Sequence, residues 1–238
     1  MAVGVAGLVL SGCGRAAQAP DPDAVPYAGT DELPEKLSED GTTITVGDAA
    51  APMTVRLYED MRCPVVEEFE GAGGASVVRE MTLSREVKTE YTLASFRDDS
   101  QGGDGSKRAV NALRAALDAG KFSEYHAVLI RHRTEAELAG GYTTGYLLEL
   151  ADQVKGLRSK SFDSAVTTMK YRTFVSRSQK AYERANGSAD DPLGPGTPTV
   201  LINGKQIPED QAGVIFDKQW FEDLLEAVQY QPLMWKSA

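Results

Sequence analysis

Asp60-Met61-Arg62-Cys63-Pro64-Val65-Val66-Glu67-Glu68-Phe69 is the stretch on which the reading of this chain turns. Just before it, Met53 to Tyr58 alternates, with Met53, Val55 and Leu57 on one face, which predicts a strand. Proline suits the first position of a helix, where its missing N–H would have no partner, so a helix starts at Pro64 and Cys63 falls at its N-cap. A thiol there meets unpaired N–H groups and the positive end of the helix dipole, which stabilise the thiolate that attacks disulfides. A dithiol site needs a second thiol three residues on, on the same helix face. In this chain that position is Val66.

Working outward, Gly71, Gly73 and Gly74 each cost about 1 kcal/mol in a helix relative to alanine, predicting a kink or break before Ala75 to Leu83. Thr42 to Val46 and Glu86 to Phe96 carry strand patterns, so the order begins β-β-α-β. A helical block follows. Ser106 to Ala119 places Val110, Leu113 and Leu117 at helical spacing, and Phe122, Tyr125 and Leu129 mark the next amphipathic stretch. Thr143 or Thr144 caps a helix through Leu147, Leu150, Ala151 and Val154; Ser161 caps another that continues weakly to Tyr182. After a loop from Asn186 to Gly196, Asn203-Gly204 is a strong hairpin signal between Thr199 to Ile202 and Lys205 to Ile207. Lys218 to Tyr230 closes as a helix burying Phe221, Leu224, Leu225 and Val228. The whole predicts an α/β fold, a mixed sheet with helices on both faces.

The Asp60–Phe69 segment resembles the active-site segment of the DsbA-like thioredoxin superfamily, in which an aspartate and two variable residues precede Cys-Pro-x-Cys. Gly196-Thr197-Pro198-Thr199-Val200 resembles that family's loop, where a cis proline packs beside the catalytic cysteine and aligns the substrate backbone. The helical stretch, including Phe122-Ser123-Glu124-Tyr125-His126, has the length and place of the family's inserted helical domain. The resemblance spans roughly residues 42–230 and implies a thioredoxin fold with a helical insertion at about 105–185. It implies Cys63 as the nucleophile and Pro64, Thr197 and Pro198 as substrate-binding residues, while the resolving cysteine has no counterpart.

That departure limits the chemistry, because a dithiol cycle stores two electrons in an intramolecular disulfide and one sulfur cannot. The resemblance implies a monothiol thiol-disulfide oxidoreductase or isomerase, a monomer acting on cysteines of exported or envelope proteins. The alternative is a redox-inactive binding module that keeps the groove beside Pro198 for extended peptides or envelope proteins. Branched, apolar Val66 covers the sulfur, and Glu67 and Glu68 oppose its ionisation by charge. A less acidic thiol than that of the family's strong oxidants is therefore expected.

The 238 residues, 42% of them apolar, can bury one good core, which favours one domain with an insertion over two. The formal net charge is −10, and between Gly14 and Asp40 seven acidic residues face only Arg15 and Lys36. No basic cluster interleaved with aromatics occurs, so nucleic acid is set aside as a partner. Ala2 to Leu10 is apolar, too short to cross a bilayer but suited to the core of a secretory signal. Leu10-Ser11-Gly12-Cys13 after it resembles a bacterial lipobox, which would make Cys13 a lipid attachment site and not a redox partner. The missing Lys or Arg ahead of the run points to a start placed too far downstream.

The expected organisation is thus a lipoprotein signal over residues 1–13, a flexible acidic tether over 14–41, the folded domain over 42–230 and a tail over 231–238. The expected location is outside the cytoplasm, anchored to the bacterial cell membrane. His126 and His132 lie on a predicted helix with no partner at convincing metal spacing and read as structural. Gly71-Ala72-Gly73-Gly74-Ala75-Ser76 does not follow a strand directly, as a dinucleotide loop must. With no Gly-x-Ser-x-Gly elbow, P-loop or metal-binding helix motif, neither cofactor nor metal is expected.

Overall fold

In the computed structural model, which describes residues 24–186, 194–231 and 235, regular structure begins before Thr42. Strand β1 (Glu35–Leu37) pairs antiparallel with β2 (Ile44–Val46), Glu35 opposite Val46 and Leu37 opposite Ile44. The Asp40 carboxylate accepts the N–H groups of Thr42 and Thr43 in the turn between them, and Leu33 is buried. Acidic composition alone had extended the flexible tether through residue 41. It missed that short carboxylates tie turns together, and that the Glu35 carboxylate accepts the N–H groups of Phe122 and Ser123 at a helix start. The rest of the expected tether, 14–23, lies outside the described residues, as do the signal segment and Cys13.

Strand β3 (Met53–Asp60) is central. It pairs parallel with β4 (Val87–Ala94), from Met53 opposite Val87 to Asp60 opposite Ala94, and antiparallel with β5 (Thr199–Ile202). With β6 (Lys205–Gln206) at the far edge, the sheet order is β1-β2-β4-β3-β5-β6. Parallel neighbours need a crossover, supplied here by helices α1 (Pro64–Gly71) and α2 (Ala75–Leu83). The break between them has two causes. Glycine disfavours helix, and a Cβ on Gly74 would stand 2.2 Å from the Phe221 ring, so the close approach of the last helix, α10 (Lys218–Tyr230), requires its absence.

From the end of β4 the chain enters seven further helices, numbered in chain order: α3 (Arg97–Gln101), α4 (Gly105–Asp118), α5 (Phe122–Arg131), α6 (Arg133–Leu138), α7 (Thr144–Ala151), α8 (Lys160–Thr167) and α9 (Arg172–Glu183). Thr143 caps α7, its side chain accepting the Tyr146 N–H. The cap of α8 is Ser159, not Ser161: its hydroxyl accepts the Phe162 N–H, and the helix begins two residues earlier than expected. Nor is α9 a weak continuation of α8. Met169 at φ 51° ends the earlier turn, and α9 lies against β4, with Ser178 Oγ accepting from Leu93 N–H and donating to Leu93 C=O. The hairpin forms as expected, Asn203 (φ 51°) and Gly204 (φ 80°) both left-handed.

Two cores result. Met53, Val55 and Leu57 meet Phe69, Val78 and Phe221 between the sheet and helices α1, α2 and α10. Leu113, Phe122, Tyr125 and Leu147 pack the helical insertion, and that second core reaches the sheet through Ile44 and Leu93. Helix α1 serves both: Phe69 points to the first core, whereas Val66 and Cys63 belong to the second. The segment quoted at the outset therefore lies on the seam between the sheet and the insertion.

Candidate active site

Cys63 occupies the N-cap of α1 in extended conformation (φ −77°, ψ 121°), with Pro64 following at the first helical position. Its N–H donates to Asp60 C=O at 2.9 Å and its C=O accepts from Glu67 N–H at 3.2 Å, so the turn is closed on both sides. The thiol donates to Thr197 C=O at 3.2 Å, and the bond from Thr197 to Pro198 is cis. Strand register explains how residues 134 apart meet. Tyr58 pairs with Thr199, which sets the exit of β3, leading to Cys63, beside the entrance of β5, preceded by Pro198.

Of the residues named from the sequence, the structure thus brings Cys63, Pro64, Thr197 and Pro198 to one end of the sheet. Pro64 and Val65 form the exposed shoulder of the site, whereas Cys63 is only 4% exposed and Val66 is fully covered in the resolving position. Pro198 also borders a cavity of about 450 Å³ lined by Thr199, Val200, Ile207 and Ile215. Thr197 Oγ1 is buried without a hydrogen-bond partner. Glu67 does not stand over the sulfur as an isolated charge; it is paired with Arg133 at 2.7 Å and takes a hydrogen bond from Thr134.

Sequence reasoning missed what holds this turn. Arg62, 2% exposed, sends its guanidinium into the insertion, donating bidentately to Glu137 (2.7 and 3.0 Å), to Asp98 (3.0 Å) and to Gly102 C=O (2.8 Å). Gly105 and Gly141 make room, since a Cβ on either would press on that side chain. Asp60 accepts from Arg62 N–H, Arg97 N–H and the Ser106 hydroxyl, yet burial pushes its carboxyl up to about 6 against those donors. The sequence held no local signal for the Arg62 pairings, because its partners lie on separate elements.

A second cluster was also missed. His126, read as structural, meets Glu59 through Nε2 at 2.8 Å, and Glu70 lies beside both. Burial pushes Glu59 up to about 7; burial and then the Glu59 charge push Glu70 up to about 8. Burial lowers His126, so the imidazole is uncharged at neutral pH and its contact with Glu59 is a hydrogen bond and not an ion pair. No spacing rule links these residues, which come from β3, α1 and α5. His132 meets Gln153 at 3.3 Å and Glu135 at 4.0 Å and stays outside the cluster. Among the described residues no helix is long and apolar enough to cross a membrane.

A thioredoxin family model matches residues 39–222, spanning the site, the insertion and the cis-proline loop. Solved structures of low identity share the fold. The thiol-disulfide oxidoreductase MdbA of Corynebacterium matruchotii is 18% identical with a TM-score of 0.62, covering 75% of this chain and 87% of that one. Oxidised BdbD of Bacillus subtilis is 19% identical with a TM-score of 0.64, covering 86% and 98%. Reduced DsbA of Mycobacterium tuberculosis is 21% identical with a TM-score of 0.57, covering 79% and 99%. No curated protein matches the sequence. With the sheet order, the cysteine at the head of α1, the cis proline opposite it and a family match over most of its length, the chain belongs to the thioredoxin family, in the DsbA-like form of its fold.

Proposed function

We propose that this protein exchanges thiols and disulfides on cysteine-bearing exported proteins, using Cys63 alone. The observation that carries the reading is the Cys63 sulfur 3.2 Å from the carbonyl ahead of cis Pro198, with Val66 where a second thiol would stand. In the exchange the Cys63 thiolate attacks one sulfur of a substrate disulfide; a Cys63–substrate disulfide forms and the other sulfur leaves as a thiolate. A thiol of the substrate, or a small external thiol, then attacks the substrate sulfur of that mixed disulfide and releases Cys63 as a thiolate. Electrons balance with no net oxidation, which suits an isomerase or a thiol-assisted reductase. Net oxidation of a dithiol would need a second stored sulfur.

The 4% exposure of Cys63 favours a second reading, a binding module that holds extended peptides beside Pro198 without covalent chemistry. One experiment separates the two. A cysteine peptide carrying a nitrothiobenzoate leaving group is mixed with reduced protein; release of the coloured thiolate and a peptide adduct are expected, both lost in Cys63→Ser. Peptide binding without any adduct from the wild-type chain overturns the exchange reading and leaves the binding module.

The apolar run and Leu10-Ser11-Gly12-Cys13 support placing the protein outside the cytoplasm, tethered by a lipid on Cys13. Labelled fatty acid is expected in the wild-type protein expressed in a bacterial host and absent from Cys13→Ser; equal labelling of the two rejects the anchor.

A further inference from the structure

Glu59 near the end of β3, Glu70 near the end of α1 and His126 in α5 bring three possible ligand atoms within 4.8 Å of one another. We propose that these three side chains bind a divalent transition cation of the zinc class, between the sheet and the helical insertion. The side chains of Glu59, Glu70 and His126 are 0%, 6% and 4% exposed. Each carboxyl keeps one oxygen, Oε1, buried with no donor group of the chain on it, and only a proton shared between the two carboxyls bridges them. Their other oxygens are engaged, Glu59 Oε2 by His126 Nε2 at 2.8 Å and Glu70 Oε2 by Arg79 at 3.5 Å. Buried polar atoms of native proteins are rarely left this way, and two adjacent carboxyls out of water either hold protons or call for positive charge. A dication answers both at once: on binding it displaces the protons the two carboxyls hold, matches the charges so uncovered and takes both free oxygens.

The donor set selects the class of ion. One imidazole nitrogen and two carboxylate oxygens suit zinc and its neighbours, whereas calcium and magnesium prefer oxygen alone. The imidazole is already oriented, its ring packed against those of Tyr91 (5.1 Å) and Phe122 (5.6 Å). On binding, His126 Nε2 trades its hydrogen bond with Glu59 for the metal, the ring proton residing on Nδ1. Glu70 and His126 also help to line a cavity of about 590 Å³, with room for water or a small anion as a fourth ligand. The cation would clamp strand, first helix and insertion at one point, by residues separate from Cys63.

The test uses the full-length chain, stripped with a chelator and given zinc in competition with a chromophoric chelator at neutral pH. One zinc per chain is expected, with affinity at least about tenfold weaker in Glu59→Gln, Glu70→Gln and His126→Gln and unchanged in Cys63→Ser. Glu59→Gln keeps the shape of the side chain and guards against misreading an unfolded variant, which circular dichroism identifies. Cobalt(II) in the wild-type chain should show ligand-field bands without a thiolate charge-transfer band. No uptake by the wild-type chain, uptake equal in the folded glutamine variants, or a thiolate band overturns the site.

Discussion

Val66 is the residue that decides the chemistry available to this protein. It fills the position of a resolving thiol, fully covered, three residues from Cys63 on the same helix face. Val66→Cys is therefore expected to create a dithiol pair with Cys63. Mild oxidation of that variant should remove two titratable thiols per chain without forming dimers, at a stability cost of about 1 kcal/mol from lost packing. Persistence of both thiols would mean that the turn at Pro64 holds the two side chains apart. The motif was legible at this scale because Cys-Pro between a strand and a helix carries its own geometry. Cover of the sulfur by Val66 was legible too, whereas the thiol hydrogen bond was not, since its acceptor, Thr197 C=O, comes from a loop 134 residues away.

Between elements, Arg62 ties the active-site turn to helices α3 and α6 of the insertion. Removing it would strip the guanidinium from Glu137 and from Asp98, whose side chain is 1% exposed and would keep only Lys107 at 3.7 Å as a cation. Arg62→Met should lower stability by about 3 kcal/mol, the usual consequence of stripping one partner from a buried ion pair. Urea unfolding monitored by circular dichroism reads it, and a loss below about 1 kcal/mol would show that water replaces the guanidinium. Helix boundaries were mostly readable from apolar spacing, as α4, α5 and α10 show. The exceptions have local causes: Ser159 outcompetes Ser161 because its hydroxyl reaches the Phe162 N–H, and β1 was hidden in an acidic run whose carboxylates make specific backbone bonds.

Across the whole molecule, three buried carboxyls make stability depend on pH. Glu59, Glu70 and Asp60 titrate near 7, 8 and 6 in the folded protein, above the ordinary carboxylate range of about 4 in the unfolded chain. The folded state therefore holds more protons between those limits. Their contribution is fully present below about pH 4 and is lost as pH rises through about 8. In chelator-treated protein the unfolding midpoint should fall from pH 5 to pH 8.5, and Glu59→Gln with Glu70→Gln should flatten that fall. A midpoint that rises over this range would contradict the burial of these groups.

By itself the sequence determined the local grammar: a strand ending in Cys-Pro, a broken helix after it, an Asn-Gly hairpin, an amphipathic closing helix and a block of helices between. Each follows from residues close in the chain, where backbone preference and apolar period act directly. The tertiary structure alone decided which other distant groups share a space: Arg62 with Glu137 and Asp98, and Glu59 with Glu70 and His126. Such meetings depend on strand register and on how the insertion docks against α1. Periodicity carries no information about either, because burial energy is the same whichever polar partners end up face to face.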